Sequence, residues 1–213
     1  MMHHLAAALC GVFAGLLAGL ALAIPALVRQ QRALTKVRGM ANHDDVTGLP
    51  NRRLFLDRLR AALADNTPTG VVLLDLNDFK TVNDRLGHEV GNDLLQQVGR
   101  RLAGLPGPIL AARLSGDEFA LLVTGDRATT EAAANAAWQA IAAHSIRVVN
   151  GDLRVTASVG HTHTHTHHSA AGTRQLLNQA DMAMYEAKRV DGGVREYLPH
   201  RTPTLRSRDR HRR

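Results

Sequence analysis

Apolar positions fall into stretches of different period along this chain. Residues 5–28 run for 24 positions without a charge. As a helix rising about 1.5 Å per residue they reach roughly 36 Å, enough to cross a hydrocarbon core of about 30 Å. Further on, Leu54, Phe55, Leu56, Leu59 and Leu63 recur with helical spacing, and Pro50 suits the first turn of that helix. Unbroken apolar residues at 71–76 predict a buried strand. A short helix over 78–86 and a longer one over 90–102 follow, with Leu94, Leu95, Val98 and Leu102 on one face of the latter. Strands are expected at 109–114 and 118–123, joined by a Ser115-Gly116-Asp117 turn, then an alanine-rich helix over 128–144. Asn150-Gly151 is a strong hairpin signal between strands at 146–149 and 153–159. A last helix over 173–189 and a strand over 194–198 complete the series. Helices interspersed with hairpins predict an α/β sandwich with a mixed or antiparallel central sheet flanked by helices.

The flanks of the apolar run orient it. No Lys or Arg precedes it, whereas Arg29, Arg32, Lys36 and Arg38 follow at once. By the positive-inside rule the N-terminus faces out and the remainder is cytoplasmic. A cleaved signal peptide is the competing view, but a basic n-region is missing and the run is long for an h-region. The expected organisation is therefore a transmembrane anchor over 1–28, a basic helical stalk over 29–43, one domain over 44–198 and a basic disordered tail over 199–213. It puts the chain in the cytoplasmic (inner) membrane as a single-pass protein. Gly11, Gly15 and Gly19 recur every four residues, either as a close-packing helix face or as plain small-residue composition.

The net charge of +7 suggests a nucleic-acid binder until it is located. Residues 29–42 carry +4 and residues 199–213 carry +5, leaving about −2 for everything else. The folded part is not basic, no nucleic-acid partner is expected, and both basic segments suit anionic lipid headgroups. Cys10 is the single cysteine, so no internal disulfide can form and a reducing compartment is the natural home.

Two carboxylates carry the candidate chemistry. Asp75 closes the buried strand, and Asp117 stands on the tight turn of Arg-Leu-Ser-Gly-Asp-Glu-Phe at 113–119. Mg²⁺ takes one or two carboxylates and fills its shell with phosphate oxygens and water. The pair therefore predicts a magnesium–triphosphate site.

Five ordered motifs, DDVTGLPNRR, LLDLNDFKTVNDRLGHEVGNDLL, RLSGDEF, VTASVG and ADMAMYEAKR, resemble the GGDEF family of diguanylate cyclases, here with an SGDEF signature. The resemblance covers about 44–198. It implies a palm-like, nucleotidyl-cyclase-like fold and condensation of two GTP into cyclic di-GMP by a homodimer, with Mg²⁺ or Mn²⁺ as cofactor. By the same resemblance, Asp75, the Leu76 carbonyl and Asp117 are metal ligands, and Glu118 either activates the 3′-hydroxyl or holds the second metal ion. Asn83 and Asn92 match base-contacting positions. Phe79, Lys80 and Lys188 match phosphate contacts, Ser115 and Gly116 form the signature turn, and Arg113 braces the hairpin.

Four departures qualify this. Ser115 replaces the signature's first glycine, and Asn92 replaces an aspartate, offering guanine one acceptor group where a carboxylate offers two. Pro-Gly-Pro-Ile at 106–109 replaces the Arg-x-x-Asp product-inhibition motif, and Gly192 replaces a phosphate-contacting arginine. An impaired domain that binds GTP or a partner protein as a regulatory module is the alternative reading. No sensor domain fits within 29–43, so the input would come through the membrane helix, an unidentified signalling partner or expression level. The His-Thr repeat at 161–168 lies outside the resemblance. It is expected as a solvated loop, with a histidine-lined Zn²⁺ or Ni²⁺ patch as the alternative.

Overall fold

In this computed structural model the described residues are 42–65, 67–107, 109–143, 145–148, 151–164, 170–190 and 192–199. The expected membrane helix, most of the stalk, and the tail beyond 199 lie outside them. Among the described residues no helix is long and apolar enough to cross a membrane.

The most apolar segment becomes the central strand. β1 (Thr69–Leu76) is buried at all eight positions, as its unbroken apolar run predicts. Its neighbours are β3 (Glu118–Thr124) and β6 (Ala157–Thr164), both antiparallel to it. β2 (Ile109–Ser115) pairs antiparallel with β3, and β7 (Gly193–Glu196) runs parallel to β6. The five-stranded order is β2-β3-β1-β6-β7, a mixed sheet. A separate two-stranded ribbon joins β4 (Ile146–Val148) to β5 (Gly151–Leu153).

Alternation along β1 divides the core in two. Val72, Leu74 and Leu76 pack with α2 (Phe79–Leu86), α3 (His88–Ala103) and α4 (Arg127–Ala142). Val71 and Leu73 pack with Phe55, Leu59 and Leu63 of α1 (Arg52–Ala64) and with Leu176, Ala180 and Met184 of α5 (Ala170–Lys188). The result is the expected α/β sandwich. α5 sits directly on the β6 backbone. A Cβ at Gly160 would stand 2.1 Å from the Met184 nitrogen and 2.2 Å from the Ala180 carbonyl oxygen. Small residues there let helix and strand touch.

Several expectations are corrected. α1 starts after Pro50, because the Asn51 side chain accepts from the Leu54 N–H and caps the helix. The expected 153–159 strand is split. Its start pairs with β4, while 157–164 joins the main sheet beside β1. The His-Thr repeat is no loop as far as 164: His161 and Thr162 are buried within β6. Its polar sequence disguises a strand that pairs with β1 along its whole length and with β7 over 158–161, and whose faces are covered by α4 and α5. Residues 165–168 lie outside the described set.

His161 is the unusual member of that strand. It is 2% exposed and its Nδ1 has no hydrogen-bond partner. Burial holds its imidazole below the ordinary histidine range, against the opposing pull of Glu196 and Glu131. A depressed histidine favours the folded state while neutral, and that stability is lost as pH falls below about 6.5 through the folded value. The thermal midpoint should therefore drop between pH 7 and pH 5.5, and the drop should be smaller in His161→Leu. Equal drops in both proteins, followed by circular dichroism, would remove His161 as the cause.

Candidate functional site

The two signature carboxylates meet because β1 and β3 pair in a register that sets Asp75 opposite Glu118. The turn before Glu118 then falls at the end of β1, where the Leu76 N–H donates to the Asp117 carbonyl at 3.3 Å. Ser115 is not among the residues with positive φ, whereas Gly116 has φ +48°. The serine therefore costs the turn no backbone strain; the left-handed position is the one that glycine still occupies. The Ser115 hydroxyl donates to Glu118 Oε2 at 2.9 Å.

Arg113 braces this hairpin, as expected. Its Nε donates to the Gly116 carbonyl at 2.9 Å and its Nη1 to Asp44 at 2.8 Å. Asp44 also accepts from the Thr47 amide and hydroxyl. Burial works to raise the Asp44 carboxyl, but Arg113 and Thr47 outweigh it and hold it low. Sequence reasoning gave Asp44 no role. The Asp-x-x-Thr spacing of a side-chain-capped turn was its available signal.

A cleft of about 680 Å³ opens at the end of β1, running along residues 75–80 and closed by Asp117, Thr156 and Lys188. It thus gathers Asp75, Leu76, Phe79, Lys80, Asp117 and Lys188 from the expected set, and adds Asn77, Asp78 and Thr156. Asp78 adopts the left-handed conformation at φ 58°, a state that aspartate tolerates better than most residues. It turns the chain from strand into α2, so the free N–H groups of that helix's first turn begin beside the cleft. Asn77 is bound into the scaffold: it donates to the Thr156 hydroxyl at 2.9 Å and accepts from Ser158 at 2.8 Å. Thr156 lies in the VTASVG motif but was given no role from sequence, and the β1–β6 pairing is what brings it here.

Other expected residues lie outside this lining. Glu118 borders a separate pocket of about 220 Å³ with Arg52, Leu114, Leu177 and Asp181. Asn83 lies on α2 with its amide oxygen over Gly91, beside the exposed Asn92 of α3. Gly192 has φ +107°, and a Cβ there would stand 2.9 Å from the Asn77 amide nitrogen. The arginine that the resemblance expects at that position has no room without a shift of Asn77.

Asp75 sets the electrostatics. Its side chain is 9% exposed, and Lys188 Nζ lies 2.7 Å from Oδ2. Burial pushes its carboxyl above the ordinary range. Lys188 opposes this, while the charges of Asp117 and Glu118 add to it. Among the described residues no three His, Cys, Asp or Glu side chains converge as a complete cage for a metal. Mg²⁺ needs no such cage, because substrate phosphates and water supply most of its ligands. The donors here are oxygens, and the ammonium on Asp75 marks a carboxylate that requires a cation. Asp75, the Leu76 carbonyl and Asp117 therefore fit a hard divalent ion.

The family model for the diguanylate cyclase GGDEF domain matches residues 41–193. The chain belongs to the GGDEF family. It is 38% identical over 173 residues to the diguanylate cyclase TpbB of Pseudomonas aeruginosa, covering 78% of this chain and 39% of that protein. It is 35% identical over 188 residues to the cyclic di-GMP phosphodiesterase PdeR of Escherichia coli, covering 85% of this chain and 27% of that one. The chain thus spans well under half of these relatives. Among solved structures, the coiled coil and GGDEF domain of DgcB from Caulobacter crescentus, in complex with c-di-GMP, superposes with a TM-score of 0.73 at 25% identity. The match covers 85% of this chain and 98% of that one. The GGDEF domain of TpbB superposes with a TM-score of 0.65 at 34% identity, over 73% and 94%.

The raised Asp75 carboxyl has a thermodynamic sign. A folded value above the unfolded one contributes stability at low pH that is lost as pH rises through the folded value. At neutral pH, Asp75→Asn should therefore raise the thermal midpoint in metal-free buffer. An unchanged or lowered midpoint, read by calorimetry, would contradict this.

Proposed function

We propose that this GGDEF domain is a diguanylate cyclase that condenses two GTP into cyclic di-GMP. The convergence of Asp75 and Asp117 on one cleft, with Lys188 against Asp75, carries the reading. In each of two steps the 3′-oxygen of one GTP attacks the α-phosphorus of the other. The bond from that phosphorus to the bridging oxygen of the β-phosphate breaks, and pyrophosphate leaves. Glu118 takes the hydroxyl proton. Lys188 and Lys80, with the N–H groups opening α2, hold the phosphates. Asp75, the Leu76 carbonyl, Asp117 and Glu118 are the groups that would hold divalent ions, and such ions would supply neutralisation of the charge that develops in the reaction.

Each domain holds one GTP, so two copies face each other and their relative placement governs the rate. The membrane anchor expected over 1–28 raises the local concentration of copies at the inner membrane, with the catalytic domain in the cytoplasm. The amide of Asn92 makes a weaker partner for guanine than a carboxylate, so ATP competes for the base site. Without charged side chains at 106–109, the product has no grip on that loop.

Pyrophosphate release from GTP and Mg²⁺ by the full chain tests the activity, with Asp117→Ala as control. The wild type should release pyrophosphate and the variant should fall to background. GTP binding without release in the wild type would instead support a regulatory module. Mass analysis of products from mixed GTP and ATP tests the base site. Adenine-containing product should form and should decline about tenfold or more in Asn92→Asp, the scale of one charged hydrogen bond. Product from GTP alone in the wild type would refute relaxed recognition.

A further inference from the structure

The cleft is short of positive charge for a triphosphate. Asp75, Asp78 and Asp117 face Lys80 and Lys188 along its lining, and Lys188 is already engaged by Asp75. The strand register leads to the next cations. Asp75, Ser158 and Gly193 are successive cross-strand partners on β1, β6 and β7. At about 4.8 Å per strand, Gly193 lies roughly 10 Å from Asp75. Alternate residues of a strand share a face, so Arg195 stands on the same side of the sheet as Gly193 and Asp75.

The Arg195 side chain folds back toward that row. Its Nη1 donates to the Val194 carbonyl at 2.8 Å and lies 3.9 Å from where a Gly193 Cβ would be. Apart from the adjoining residues, no other described atom comes within 4 Å of that position. Gly192 packs against Asn77 of the cleft wall, so the two glycines form a bare floor between the cleft and the guanidinium. Arg189, just past α5, joins Arg195 in lining a cavity of about 260 Å³ with Glu186 and Val190. Among the described residues neither arginine is in an ion pair.

We propose that Arg195, assisted by Arg189, is a substrate-positioning residue that binds the terminal phosphates of the nucleoside triphosphate and steadies the departing pyrophosphate. A guanidinium offers two parallel N–H donors to phosphate oxygens, a geometry that an ammonium does not reproduce. The inference rests on the cyclase reading, because it needs the α-phosphate at Asp75 and Asp117.

Calorimetric titration of the full chain with GTP and with GMP, using Ca²⁺ in place of Mg²⁺ to hold off turnover, tests it. Arg195→Ala should weaken GTP binding about tenfold, the scale of a lost charge-assisted hydrogen bond, and leave GMP binding unchanged. Arg195→Lys should recover part of the loss, and in turnover the alanine variant should show a raised KM. Equal weakening for GTP and GMP, or no weakening for either, would overturn the role of Arg195 while leaving the cyclase reading intact. A wild type that binds no GTP would overturn both.

Discussion

A buried strand that ends in a carboxylate is the constraint around which this domain is built. β1 is covered on both faces, so its last charged residue, Asp75, cannot be solvated as a surface aspartate would be. Its cross-strand neighbour is Glu118, and Asp117 follows from the adjoining turn. Negative charge therefore accumulates where the dielectric is low, and a cation must answer it. Lys188 answers part of it, with its ammonium 2.7 Å from Asp75 Oδ2.

The scaffold fixes that meeting from several directions. Close packing of α5 on Gly160 sets the height of the helix that ends in Lys188. Arg113 ties the signature turn to Asp44, so the hairpin carrying Asp117 is held from the β2 edge of the sheet. Asn77, Thr156 and Ser158 tie the end of β1 to the start of β6. Each contact is a hydrogen bond or a small-residue approach that leaves little freedom, and positioning within fractions of an ångström is what phosphoryl chemistry demands.

The departures from the family pattern differ in physical weight. Ser115 sits where no left-handed backbone is needed, and its hydroxyl finds Glu118. Gly192 is another matter, because its backbone is left-handed and Asn77 occupies the space a side chain would need. The loss of a cation there is built into the local backbone rather than being a free surface change. Charge for the phosphates has to come from elsewhere on the same face of the sheet.

Much of the architecture was legible in sequence because local physics decided it. The apolar run at 71–76 could only be a buried strand, the helical periods of α1 and α3 survived intact, and the Ser-Gly-Asp turn could only join two strands. The carboxylate pair, the cleft and the family followed from motifs of that kind. The continuation of the expected 153–159 strand through 164, beside β1, was not legible. Its histidines and threonines carry no apolar signal, and their burial comes from neighbours distant in the chain. Neighbours distant in the chain likewise decide the placement of Thr156 in the cleft, the Lys188 contact to Asp75, and the alignment of Arg195 with the site. The sequence by itself determined which groups could do chemistry and which segments were strand or helix. Register and packing decided which of those groups meet, because distances across a sheet depend on pairings between segments that local sequence does not encode.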